Sequence, residues 1–182
     1  MTDTQWPRYM VFEKTKNGKP HQQAGTVHAP DIEMALLNAR DVFVRRPETI
    51  SQWIVRADTI FSKTIQELAN SAWAGEYESG EIEPYYVFYK LAHNRSCVYT
   101  GKVEAGSPQE AIKQSLETYI NPKALMWWVF PVSAVLHSED DDLDPLYAPA
   151  RQKYYRHQTQ FTNAMLLKKM KSDWREQQEE AD

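Results

Sequence analysis

Val11-Phe12, Gly25, Ala29, Ala35 and Phe43-Val44 return 76 residues further on as Val87-Phe88, Gly101, Ala105, Ala111 and Tyr119-Ile120. The frame then slips by one. At an offset of 75, Pro47, Trp53 and Ile54 return as Pro122, Trp128 and Val129. Self-similarity at a fixed period means one supersecondary unit used twice. Two related units in one chain make a covalent pseudo-dimer, which points to surfaces and partners before chemistry.

Each unit reads strand, strand, helix, strand. In the first, Arg8 to Lys14 is rich in β-branched and aromatic residues, and Asn17-Gly18 is predicted to form a tight hairpin turn. The second strand runs from Gln22 to Ala29 with Gly25 inside it, marking a bulge or a close backbone approach. Gly101 predicts the same feature in the second unit. Asp31 is the expected N-cap of a helix whose apolar stripe is Ile32, Ala35, Leu36, Ala39, Val42 and Phe43. Pro47 limits that helix. In the second unit, Ser107-Pro108-Gln109-Glu110 reads as a capping box, followed by the stripe Ala111, Ile112, Ser115, Leu116, Tyr119 and Ile120. The third strands are Gln52 to Arg56 and Met126 to Val132, the latter apolar enough to be covered on both faces. Trp53 and Trp128, recurring at equivalent places, are expected in the core.

Between the units, Thr64-Ile65-Gln66-Glu67 is another capping-box pattern. It would open a short helix with Ile65, Leu68, Ala69, Ala72 and Trp73 on one face. The organisation predicted is therefore α+β: two ββαβ repeats forming an internal pseudo-dimer, with a connecting short helix and a C-terminal helical extension. Residues 1–62 are the first unit, 63–83 the short helix and acidic linker, and 84–137 the second unit. Residues 138–182 hold an acidic loop, a docking arm and a final helix carrying Leu166, Leu167, Met170 and Trp174 on one stripe.

At 182 residues the chain can bury a sizeable core. Its net charge of −4 argues against nucleic acid as the main partner, which would want a basic face. A lone Cys97 excludes an internal disulfide and suits a reducing cytoplasm. No stretch reads as a signal sequence or a membrane span. Six Trp in a chain of this size favour a dense core or docking surfaces.

Catalytic patterns are missing. His21, His28, His93, His137 and His157 show no metal-ligand spacing, and no phosphate-binding glycine loop or nucleophile elbow is present. The Ser138 to Asp144 run lacks the alternation and central Gly of a calcium loop, so it reads as a solvated acidic loop. Cys97 reads as a buried, inert thiol. No catalytic residue, cofactor site or metal site is expected.

Specific stretches carry a resemblance. Trp6-Pro7-Arg8-Tyr9, Val11-Phe12, Gly25-Thr26-Val27-His28-Ala29 and the helix Met34-Ala35-Leu36-Leu37-Asn38-Ala39-Arg40-Asp41 resemble the family of the small B subunit of bacterial phenylacetyl-CoA epoxidase. Arg45-Arg46, Trp53-Ile54-Val55 and, near the end, Lys153-Tyr154-Tyr155-Arg156-His157 continue the likeness in order. Typical members resemble one unit, whereas here a second unit precedes the tail. In that second unit His28 becomes Glu104 and Arg40-Asp41 becomes Leu116-Glu117.

The resemblance implies a non-catalytic structural subunit of a multicomponent di-iron monooxygenase acting on phenylacetyl-CoA or a related aromatic CoA thioester. The implied partners are a di-iron catalytic subunit and its companion structural subunit, with a reductase acting indirectly. The residues expected at the partner interface are Trp6, His28, Arg40, Asp41, Arg45, Arg46, Tyr154, Tyr155, Arg156 and His157, Arg and Trp being favoured anchors. His28 at a strand end and Arg40-Asp41 on a helix face also admit the plainer reading of locally bonded, solvated side chains. The rivals to an assembly subunit are an acyl-CoA binding or sensing module using a cleft between the units, and an enzyme in its own right.

Overall fold

The computed structural model describes residues 6–44, 49–70, 73, 80–138, 146–148 and 168. Among the described residues eight strands form a single sheet: β1 (Arg8–Lys14), β2 (Gln22–His28), β3 (Ser51–Arg56), β4 (Phe61–Thr64), β5 (Glu83–Lys90), β6 (Val98–Ala105), β7 (Met126–Pro131) and β8 (Val135–His137). Helix α1 (Ile32–Phe43) links β2 to β3, α2 (Ile65–Ala69) follows β4, and α3 (Pro108–Thr118) links β6 to β7. All the described pairings are antiparallel, so the chain is α+β as its patterning predicts.

The order across the sheet is β4-β7-β5-β6-β2-β1-β3-β8. Strands β4 and β8 extend the predicted ββαβ pattern, and they change its meaning. β4 follows β3 in the chain but pairs with β7, Phe61 opposite Val129. β8 follows β7 but pairs with β3, Val135 opposite Val55. Short 3-10 turns at Ala57–Thr59 and Val132–Ala134 make the two corners. Each half of the sheet is thus completed by a strand from the other half of the chain. At the centre, the Cα register between β2 and β6 is the single pair Gln22 and Val98. Flanking backbone bonds run from Gln23 N to the Cys97 carbonyl (2.9 Å) and from Tyr99 N to the His21 carbonyl (2.8 Å).

Strand alternation sorts the core into layers. Tyr9, Val11 and Ile54 pack with Ala35 and Ala39 of α1. Tyr85, Val87, Trp127 and Val129 pack with Ala111 and Ile112 of α3. The opposite faces of both halves share a third cluster that includes Met10, Phe12, Val55, Tyr86, Phe88 and Phe130. Phe12 lies 4.3 Å from Phe88 and 5.5 Å from Phe130 between ring centroids, and all three are fully buried. The helix-free faces of the two halves therefore press together.

Gly25 and Gly101 have one explanation. Each pairs with the Val of a Val-Phe step, and the ladder register shifts immediately beside it. A Cβ on Gly25 would sit 2.6 Å from Cζ of Phe43, the last residue of α1. On Gly101 it would run into the ring of Tyr119, whose hydroxyl donates to the Lys102 carbonyl at 2.9 Å. The glycine and the aromatic at the helix end recur together because one ring lies on the other's bare backbone.

Some local expectations shift. The loop between β1 and β2 is longer than a two-residue hairpin. Only Gly18 takes a positive φ (80°), and Lys19 N donates to the Lys16 carbonyl at 3.2 Å, which makes Gly18 the third residue of a four-residue turn. Asp31 caps α1 as expected, accepting from Met34 N at 2.7 Å. Thr64 and Glu67 form a full capping box, but α2 is only five residues long and Ile65 is exposed. At α3 the box is half made: Ser107 accepts from Glu110 N, while the Glu110 carboxylate takes Gly106 N instead. Val42 (47% exposed) and Ile120 (81%) leave the predicted buried stripes, Ile120 because the helix ends at Thr118. Trp53 and Trp128 are half-buried at the core margin, whereas Trp127 is enclosed.

Truncating Phe88 to Ala should cost about 3–5 kcal/mol of unfolding free energy, the usual range for a buried Phe. Met34→Ala on the outer face of α1 should stay within about 0.5 kcal/mol of the parent. Urea unfolding of the two variants checks this, and equal midpoints would remove the shared layer as the main union of the halves.

Candidate functional site

Helix α1 turns two kinds of residue outward. Its inner face is set by Ala35 and Ala39 against the sheet, small enough to let the helix sit close. That rotation leaves Met34 (42% exposed), Leu37 (39%) and Val42 outside, beside Glu33 and Asp41. Arg40 Nε donates to Asp41 Oδ1 at 3.1 Å, a surface pair worth little in stability but ordering both side chains. The same places 76 residues on, all within α3, hold Glu110, Lys113 and Thr118. One helix therefore carries apolar side chains at these places and the other polar ones.

Trp6 and His28 are brought together. They line an open depression of about 530 Å³ with Pro7, Arg8, Arg56 and Asp58. Trp6 stands 60% exposed at its rim. Arg56 grips Asp58 through both Nε–Oδ1 (3.1 Å) and Nη2–Oδ2 (2.5 Å), and these hydrogen bonds hold the Asp58 carboxyl below its ordinary range. Asn38 of α1 donates from Nδ2 to the His28 carbonyl at 3.3 Å, tying the helix to this end of β2. Of the interface residues expected from sequence, Trp6 and His28 share this depression, and Arg40 and Asp41 lie on α1. Arg45, Arg46, Tyr154, Tyr155, Arg156 and His157 lie outside the described residues.

A second cluster escaped the sequence reading. Trp53 of β3 stacks on His21 (centroids 3.7 Å, planes 22° apart) and on Tyr86 of β5 (4.4 Å, 25°). Neighbours at those distances must take opposite faces of the indole. Lys102 Nζ lies 4.9 Å over the Tyr86 ring, the cation–π arrangement. His21, Trp53, Tyr86 and Lys102 thus form a four-layer column crossing from one half of the chain to the other. His137 stands edge-on to Trp53, and its Nε2 shares a 2.8 Å hydrogen bond with the Tyr86 hydroxyl. His21 Nε2 and Ser51 Oγ share another at 3.1 Å. Burial, then Lys14 and His137 nearby, pull the His21 imidazole down to about 4. Burial, then Lys102, lowers His137 as well. Only the Trp53 recurrence hinted at this cluster, because its other members are far apart in sequence and differ between the units.

Cys97 is buried, and burial pushes its thiol up to about 11, which suits a structural side chain rather than a nucleophile. Among the described residues no three His, Cys, Asp or Glu side chains gather as metal ligands would, and no helix is long and apolar enough to cross a membrane.

Comparison with known proteins adds a lineage to this geometry. The family described as Phenylacetic acid degradation B matches residues 5–76 and 81–167. The B subunit of 1,2-phenylacetyl-CoA epoxidase from Escherichia coli (strain K12) is 43% identical over 67 residues, which are 37% of this chain and 70% of that protein. No solved structure matches the chain.

The column carries a pH signature. His21 is neutral when folded down to about pH 4, while an unfolded imidazole takes its proton near pH ~6.5. Between those values the unfolded chain binds the proton first, so this contribution to stability is whole above pH ~6.5 and falls away towards pH 4. The loss amounts to about 3 kcal/mol at most. Denaturant unfolding at pH 7 and pH 4.5 should show a smaller drop for His21→Gln than for the parent. Identical drops would mean the folded imidazole takes its proton as readily as the unfolded one.

Proposed function

Because the chain belongs to the Phenylacetic acid degradation B family, we propose that it is a non-catalytic assembly subunit of a multicomponent oxygenase, working in the cytoplasm in phenylacetate catabolism. The oxygenase acts on phenylacetyl-CoA or a related aromatic CoA thioester. Its iron and its reaction belong to another subunit. The partners are that di-iron subunit and its companion structural subunit, with a reductase engaged through them.

The observation that carries this reading is the outer face of α1. Met34, Leu37 and Val42 are exposed there beside Arg40 and Asp41, whereas α3 offers Glu110 and Lys113 within its helix and Thr118 at its end. If the two helices served only to cover the sheet, both would do best with polar outer faces. An apolar strip flanked by an Arg–Asp pair suits the centre and rim of a protein interface. The depression at Trp6 and His28, tied to α1 through Asn38, extends the surface around a large aromatic anchor.

The doubled scaffold fits the same role. The stretch shared with the Escherichia coli protein is about the length of one unit, and the exchange of β4 and β8 is the kind of closure that two separate single-unit chains would provide for each other. In this reading one chain carries both halves of an internal pseudo-dimer. One half keeps the partner-binding surface, and the other has turned into support.

Co-expression with the di-iron and companion subunits should yield one complex on size exclusion at micromolar concentration. Leu37→Glu should weaken its assembly by roughly tenfold or more, as expected for a charge placed in an interface centre. The corresponding change in α3, Lys113→Glu, should not. Failure of the parent chain to associate, or turnover of a CoA thioester by the purified chain alone, would sink this role.

A further inference from the structure

We propose that the cleft beside the Trp53 column binds a small organic polyphosphate, its phosphates held by Lys14, Lys19 and Lys102 and its ring against Pro20, Trp53 and Tyr99. This goes beyond the assembly role and stands or falls separately from it.

The cleft has a volume of about 560 Å³, within the range typical of small-ligand sites. It lies between the halves: the β1–β2 loop forms one wall, and β5 and β6 form another. Lys14, Lys19 and Lys102 all reach it, and no Asp or Glu lines it. In a chain of net charge −4, a cleft with three ammonium groups and no carboxylate is a local reversal of sign. Among the described residues none of the three forms an ion pair with a carboxylate. Their charges are therefore available to an anion, and phosphate is the group that lysines bind well as point charges.

The remaining lining explains why the anion should carry a ring. Both faces of Trp53 and the Tyr86 ring are already taken by the column. Pro20, the Tyr99 ring and the edge of Trp53 remain as an apolar wall beside the charges. The Thr100 hydroxyl, bonded to the Val98 carbonyl at 3.3 Å, is a polar group on the same lining.

The cleft is not something the fold requires. At the places 76 residues away from His21, Tyr86, Tyr99 and Lys102 stand Cys97, Met10, Gln23 and Thr26. The same strand pairings form there without imidazole or phenol and without a counterpart of Lys102, while Lys14 and Lys19 do have basic counterparts in Lys90 and Arg95. Building such a group on one side only, where the other side folds as well without it, is what a binding site demands and a scaffold does not.

Isothermal titration of the full chain with ADP at low salt tests the site, with pyrophosphate and adenosine as separate arms. ADP should bind and weaken as salt rises. Pyrophosphate should bind more weakly, and adenosine not measurably. Lys19→Gln and Lys102→Gln should each lower ADP affinity by roughly five- to tenfold, with the thermal melt of Lys19→Gln unchanged and that of Lys102→Gln, which loses the contact with the Tyr86 ring, only slightly lowered. No binding of ADP at millimolar concentration, adenosine binding equal to ADP, or unchanged affinity in the Lys19→Gln/Lys102→Gln double variant would overturn the proposal. Pyrophosphate binding as tightly as ADP would overturn its ring-bearing part.

Discussion

The packing of Phe12 against Phe88 and Phe130 is the constraint from which the rest follows. An antiparallel sheet covered by helices on one face leaves its other face apolar, and that face must find cover. Here each half covers the other. Because the direct pairing between β2 and β6 is short, hydrophobic contact between the faces, and not a long hydrogen-bonded ladder, unites the halves. The exchanged strands β4 and β8 add backbone bonds across the same divide.

That arrangement also decides which surfaces stay exposed. With the helix-free faces covering each other, the outer side of α1 keeps Met34, Leu37 and Val42 exposed. The cleft beside Trp53 opens where the halves meet. The two helices could diverge without harm to the core, since only their inner residues touch the sheet. The two margins of the shared layer could diverge likewise. One carries the His21–Trp53–Tyr86–Lys102 column and the other Cys97, Met10 and Thr26.

Much of this was readable from the residues. The recurrence of Gly25 with Phe43, and of Gly101 with Tyr119, marked a close approach that the coordinates explain as a ring lying on bare backbone. Strand and helix order in each half followed from periodicity and caps. The outermost strands were missed, although Ile60-Phe61 returns as Val135-Leu136 at the same offset of 75. Three- and four-residue strands leave too short an alternation to stand out from loop. Trp6 and His28, both shared with the family by resemblance, line one depression, which no sequence pattern predicts. Met34, Leu37 and the column residues were not named, because exposure and stacking depend on neighbours distant in sequence.

The sequence by itself determined the repeating element order, the apolar alternation and the family, because these are set by local spacing and residue type. Only the tertiary structure decided which half each short strand joins, which face of α1 is left bare, and that His21, Trp53, Tyr86 and Lys102 stand in one column. Those outcomes depend on how two apolar sheet faces are forced to meet, and no local pattern encodes the partner of a face.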